Sequence, residues 1–133
     1  MLNLIYGAKG TGKTKKIIEQ ANATVSTGDT VFITDTDRYM FDIKRDVRFI
    51  NAKEYGVITE LCCVGFVMGL VAGNSDIKHI FIDGAHRLVS KNIVDMEDFY
   101  ESLNAFSEKV GVDMTLTISL DKEEFPKFLK KFL

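Results

Sequence analysis

Residues 2–6 form a short apolar run that stops at Gly7, the pattern of a buried strand feeding a turn. Over residues 13–23 the period changes. Ile17, Ile18 and Ala21 recur on one side, with Lys15, Lys16, Glu19 and Gln20 mostly on the other, which predicts an amphipathic helix. Gly28 and Asp29 interrupt it, and residues 30–34 read as a second strand. A short helix is expected over 39–44 and a short strand over 47–50. A longer helix is predicted over 53–72, stopped by Gly73 and Asn74, and an apolar strand over 79–82 ends at Asp83. Met96, Phe99, Tyr100, Leu103 and Phe106 carry helical spacing over 94–109, with Gly111 as the stop. Val112, Met114, Leu116, Ile118 and Leu120 alternate as a strand over 112–120. A basic amphipathic helix is expected over 122–132, although it contains the only proline, Pro126. Strands and helices alternate, so the expected fold is α/β: a mostly parallel sheet with helices on both faces, three layers α/β/α.

A length of 133 residues predicts one domain, able to bury roughly 68% of its unfolded surface without disulfides or a structural metal. Hydrophobic residues at 46% and charged residues at 27% exclude a disordered or collagen-like chain. A net charge of −2 supplies no global basic field of the kind that draws proteins to nucleic acid or acidic membranes. The only cysteines, Cys62 and Cys63, are adjacent, which disfavours a structural disulfide and is too few for a zinc set. With no export signal at the N-terminus, the expected compartment is cytoplasmic. The longest apolar stretch, residues 61–72, falls short of the roughly 20 residues of a membrane span and reads as a buried or interface helix. Gly65, Gly69 and Gly73 recur along it every four residues, a spacing for close packing. The chain's own core is the favoured partner and another chain the alternative. Cys62 and Cys63 are expected to be buried there as small hydrophobes.

The chemistry concentrates at Gly7, Ala8, Lys9, Gly10, Thr11, Gly12, Lys13 and Thr14. This run satisfies G-x-x-x-x-G-K-[ST] and lies between a predicted strand and a predicted helix. Glycines let the backbone curl so that successive N–H groups face a phosphate, and the helix N-terminus adds partial positive charge. Lys13 then reaches the β- and γ-phosphates and Thr14 offers a hydroxyl to Mg²⁺. A plain glycine turn with a solvated lysine is the duller alternative. Asp83, at the end of an apolar strand, suits a carboxylate that holds Mg²⁺ through water.

With Ile80 to Leu88 reading Ile-Phe-Ile-Asp-Gly-Ala-His-Arg-Leu, the chain resembles the P-loop NTPases of the additional-strand branch, the RecA-like and AAA-like ATPases. The resemblance implies another strand between those carrying the Walker A loop and the Walker B aspartate, and residues 112–120 are the candidate. Many members place a glutamate after that aspartate to polarise the attacking water. Here the position is Gly84, which puts catalysis in question, and a glutamate restored there is expected to raise turnover if the backbone accepts it. RecA-like members carry the acid just past the second strand, where this chain has Asp35 and Asp37. Asp37 is the first choice and Asp35 the second, each with a solvated loop cap as the alternative. Ser119, or Thr117 by the same strand period, matches the polar residue of the inserted strand. His86 and Arg87 are near enough to Asp83 to sense phosphate, with a surface histidine and a salt-bridged arginine as the plainer readings. Lys127, Lys130 and Lys131 read as a solvated face.

The expected function is Mg·ATP binding with slow or partner-dependent hydrolysis. The alternative is a nucleotide-responsive interaction module in which turnover is incidental. A small-molecule kinase would need a substrate lid for which the chain is short. Guanine is disfavoured because no Asn-Lys-x-Asp reader occurs, so adenine follows by elimination. The resemblance also implies a site completed between subunits, by a homo-oligomer or a protein partner, with Arg38, Arg45, Arg48 and Arg87 as the available donors.

Overall fold

All strand pairings in this chain are parallel. The computed structural model describes residues 1–133 and contains, in chain order, β1 (Asn3–Tyr6), α1 (Lys13–Ala23), β2 (Asp29–Thr34), β3 (Val47–Asn51), α2 (Glu60–Gly73), β4 (Ile77–Ile82), α3 (Ala85–Leu88), α4 (Glu97–Val110) and β5 (Asp113–Ile118). The sheet order is β1-β5-β4-β2-β3. Residues 112–120 therefore supply the strand expected between the other two: β5 pairs β1 at Asn3↔Thr115 and β4 at Phe81↔Thr115. Because the strands share one direction, the loops that follow Tyr6, Thr34, Ile82 and Ile118 all emerge at one edge.

The period of two along each strand divides the core. Phe32 and Phe81 pack with Ile17, Ile18 and Ala21 of α1, while their neighbours Val31, Ile33, Ile80 and Ile82 face the opposite way. That second face buries Cys63 and Val67 of α2 and Phe99, Tyr100 and Leu103 of α4 against Met114 and Leu116. Helices thus cover both faces. Each fully buried Ile, Leu or Phe contributes about 1.5–3 kcal/mol from its removal from water.

Several elements differ from expectation, each for a local reason. The helix predicted over 53–72 is broken: a 3-10 turn, Ala52–Tyr55, ends at Gly56 with φ 72°, and α2 starts only after Thr59, whose hydroxyl caps the Cys62 N–H. The expected helix over 39–44 is a single 3-10 turn, Met40–Asp42. Helix α4 begins at Glu97, after another such turn, Ile93–Asp95, and carries Glu97 and Asp98 where its dipole favours acids. Over 122–132 no α-helix forms. Pro126 lacks an N–H and holds Phe125 extended, leaving two 3-10 segments, Lys122–Glu124 and Lys127–Phe132.

Helix α2 also departs from its expected role as a core helix. Only Cys63 and Val67 are buried; Cys62, Leu61 and Met68 are exposed. A Cβ placed on Gly65, Gly69 or Gly73 would meet nothing within 4 Å, so the glycine stripe packs against no part of this chain. No helix is long and apolar enough to cross a membrane.

Candidate functional site

After β1 the chain turns through Gly7, whose N–H donates to Leu120 O at 3.0 Å, tying the loop to the segment that follows β5. Gly10 and Gly12 take φ 84° and 83°, left-handed values that only glycine adopts without strain. Gly12 stands at the start of α1 and offers no side chain to cap it, and the first turn carries no acid. The N-terminal N–H groups and positive dipole end of an 11-residue helix are thus left for an outside anion. Lys13 Nζ donates to Ala8 O at 2.8 Å and Thr11 Oγ1 to the same oxygen at 2.7 Å, which folds both side chains over their own loop.

Asp83 faces this loop from the end of β4. Its carboxylate is 2% exposed, a costly position for a charge unless donors surround it. Thr14 Oγ1 donates to Oδ2 at 3.1 Å and Thr117 Oγ1 to Oδ1 at 2.8 Å. Thr117 accepts in turn from the Gly84 N–H at 2.9 Å. Arg87, one turn along α3, lays its guanidinium over Gly84. It reaches Asp35 with Nε and Nη2, each at 3.3 Å, and Asp83 with Nη2 at 3.7 Å. A Cβ on Gly84 would collide with that guanidinium, and φ at Gly84 is 78°. The space where a glutamate side chain was expected is filled by an arginine.

Between these walls lies a cleft of about 610 Å³, within the range of small-molecule sites. Lys9, Lys13, Arg38 and Arg87 line it against two carboxylates, Asp35 and Asp83, and most other lining groups are glycine or hydroxyl-bearing. The cleft is therefore cationic although the chain carries −2 overall. Burial pushes the Lys13 pKa below its ordinary value, with Arg87 acting in the same sense and Asp83 and Asp121 against it. Burial, and then Arg87, likewise pushes the His86 pKa down, which favours the neutral ring; its Nδ1 is buried without a partner.

Of the residues expected at the site, Gly10, Gly12, Lys13, Thr14 and Asp83 line one cleft with Lys9, and Gly7, Ala8 and Thr11 complete the loop. Of the two loop acids, Asp35 lines the cleft, whereas Asp37 is exposed and accepts from Asn51 Nδ2 at 3.3 Å. Ser119 and Thr117 both line the cleft, Thr117 with its hydroxyl bound to Asp83. Arg38 and Arg87 line the cleft of their own chain, while Arg48 borders a separate groove with Asp29 and Asp46. The sequence reading missed Thr36 and Tyr39 as lining residues. Their signal was position, since any residue just past a parallel strand sits at the edge where the other strands also end. Lys131 is away from the site, paired with Glu101.

No cluster of three or more His, Cys, Asp or Glu is arranged to hold a metal. A magnesium ion that keeps most of its waters needs only one or two protein oxygens, and the adjacent Thr14 hydroxyl and Asp83 carboxylate match that need. No family model matches the chain, and no curated protein matches it.

Proposed function

We propose that this chain is a P-loop protein of the additional-strand type that binds Mg·ATP, with slow or partner-dependent hydrolysis. The observation that carries the reading is the approach of Thr14 Oγ1 to Asp83 Oδ2 at 3.1 Å, at the mouth of a glycine loop whose helix N-terminus is uncapped. Residues 69 apart in sequence meet with the chemistry that a metal-bound polyphosphate requires. The loop N–H groups from Gly10 to Thr14 bind the phosphate chain. Lys13 leaves Ala8 O to neutralise the β- and γ-phosphates, and Lys9 and Arg38 add charge along the walls. Thr14 and Asp83 hold Mg²⁺, which supplies positive charge at the triphosphate oxygens. The strand order β1-β5-β4-β2 agrees with the expected inserted strand and supports the same family reading. Adenine follows from the absence of an Asn-Lys-x-Asp guanine reader.

Slow turnover follows from the acids. Position 84 carries no carboxylate, and with no nucleotide bound Asp35, the acid that lines the cleft, is engaged by Arg87, so it can serve only once the guanidinium has left it. A general base must be free to accept a hydrogen bond from the attacking water. Arg87 lying over Gly84 also favours the second reading, a nucleotide-responsive interaction module with incidental turnover. A second copy or protein partner belongs to either reading, and the exposed face of α2 at Leu61 and Met68 is available to it.

Titration of a fluorescent ATP analogue with Mg²⁺ into wild type and Lys13→Ala tests the binding claim. The variant is expected to bind at least tenfold more weakly, about 1.4 kcal/mol; equal affinity removes the reading. In single-turnover hydrolysis, Asp35→Asn is expected to lower the rate more than Asp37→Asn, and the opposite order rejects Asp35 as the acid.

A further inference from the structure

We infer that Arg87 is the residue by which this site distinguishes a nucleoside triphosphate from a diphosphate, and that its ion pair with Asp35 is the resting position it leaves when a terminal phosphate arrives. The inference rests on the nucleotide reading above.

Arg87 borders the same cleft as Lys13 and Thr14, so its charge already faces the end of the phosphate path. The guanidinium lies across Gly84, where no side chain separates it from the cleft. It is also shared between two carboxylates, with both contacts to Asp35 at 3.3 Å and the approach to Asp83 at 3.7 Å, beyond hydrogen-bond range. The Arg87 side chain is 44% exposed. Asp35 is only 13% exposed, so the pair is not a free surface contact, but its contacts are long and its cationic end is open to solvent, which lets an anion arriving in the cleft compete for the guanidinium.

Ligand charge then decides the partner. A cation held at Thr14 and Asp83 neutralises the buried carboxylate, which removes one of the two anions that hold Arg87. A γ-phosphate brings three charged acceptor oxygens within reach of a planar fork suited to bidentate contact, and outcompetes the single remaining carboxylate. A diphosphate ends short of that position and leaves Arg87 on Asp35. The transfer also releases Asp35 and hence the loop with Arg38 and Tyr39, so occupancy of the γ-position changes the surface at the sheet edge.

The test is equilibrium binding of fluorescent ATP and ADP analogues, each with Mg²⁺, to wild type, Arg87→Ala, Arg87→Gln and Asp35→Asn. Wild type is expected to prefer the triphosphate. Arg87→Ala is expected to lower the ratio of triphosphate to diphosphate affinity at least tenfold, and Asp35→Asn to raise it by releasing the guanidinium from its resting partner. Should Arg87→Ala not fold, the neutral but similarly long Arg87→Gln carries the same expectation. A ratio unchanged in the arginine variants, or an equal loss toward both nucleotides, overturns the assignment. An unchanged ratio in Asp35→Asn overturns the resting contact. Wild type that binds neither nucleotide is a different failure, because it removes the phosphate-loop reading itself.

Discussion

Thr117→Val isolates the group that makes a buried carboxylate tolerable in this fold. Valine has the shape of threonine, so the change leaves no cavity and removes only a hydroxyl. That hydroxyl donates to Asp83 Oδ1 at 2.8 Å and accepts from the Gly84 N–H at 2.9 Å, and both partners are buried. The lost bond to a charged acceptor is worth about 1.5–3 kcal/mol, and stranding the N–H adds about 1–3 kcal/mol. Because Thr14 still serves the other carboxylate oxygen, the lower ends apply, giving about 2.5 kcal/mol. Unfolding entropy of about 2.1 cal/mol/K per residue turns this into a fall in Tm of about 10 °C. Urea unfolding of wild type, Thr117→Val and Thr117→Ser reads it, the serine variant being expected to retain most of the loss because it keeps the hydroxyl. A Thr117→Val cost below about 1 kcal/mol, or a serine variant as unstable as valine, refutes the account of how Asp83 is held.

Gly84→Glu, which the resemblance to additional-strand ATPases suggests as a gain of function, is expected instead to destabilise by about 1–3 kcal/mol, because φ is 78°, a strained value for any residue with a Cβ, while the Arg87 guanidinium can swing aside; an equally stable variant with faster turnover contradicts this. Native thiol labelling is expected to consume Cys62 quickly and Cys63 only on unfolding. Burial, and then its neighbour Cys62, pushes the Cys63 thiol up to about 12 from 9.0, which cuts its thiolate about a thousandfold, and two equally fast equivalents disprove it. His86 binds its proton less readily folded than unfolded, so the unfolded chain takes up more protons near the ordinary value of 6.5. Its share of stability is therefore complete above that pH and declines as pH falls below it. His86→Gln should flatten the loss of Tm between about pH 7 and pH 5, and parallel curves for the two proteins reject the assignment.

The parts of this protein that sequence alone determined are those governed by neighbours along the chain. The glycine loop from Gly7 to Thr14, the start of α1, and the strands ending at Tyr6, Thr34 and Ile82 were legible because backbone freedom and side-chain period are local properties. Where local signals conflicted, the breaker prevailed: Gly56 and Thr59 split one predicted helix and Pro126 abolished another. Tertiary structure decided what depends on which strand lies beside which. Setting β5 between β1 and β4 brought Thr117 under Asp83, and setting β2 beside β4 brought Asp35 within reach of Arg87, 52 residues away. Which of Asp35 and Asp37 lines the cleft followed from the same placement, because two residues along a loop separate a side chain in the cleft from one bound to Asn51. The meaning of Gly84 was decided there as well. In sequence it reads as a missing carboxylate; in the fold it is the open space over which a guanidinium lies, since only a residue without a Cβ allows that approach.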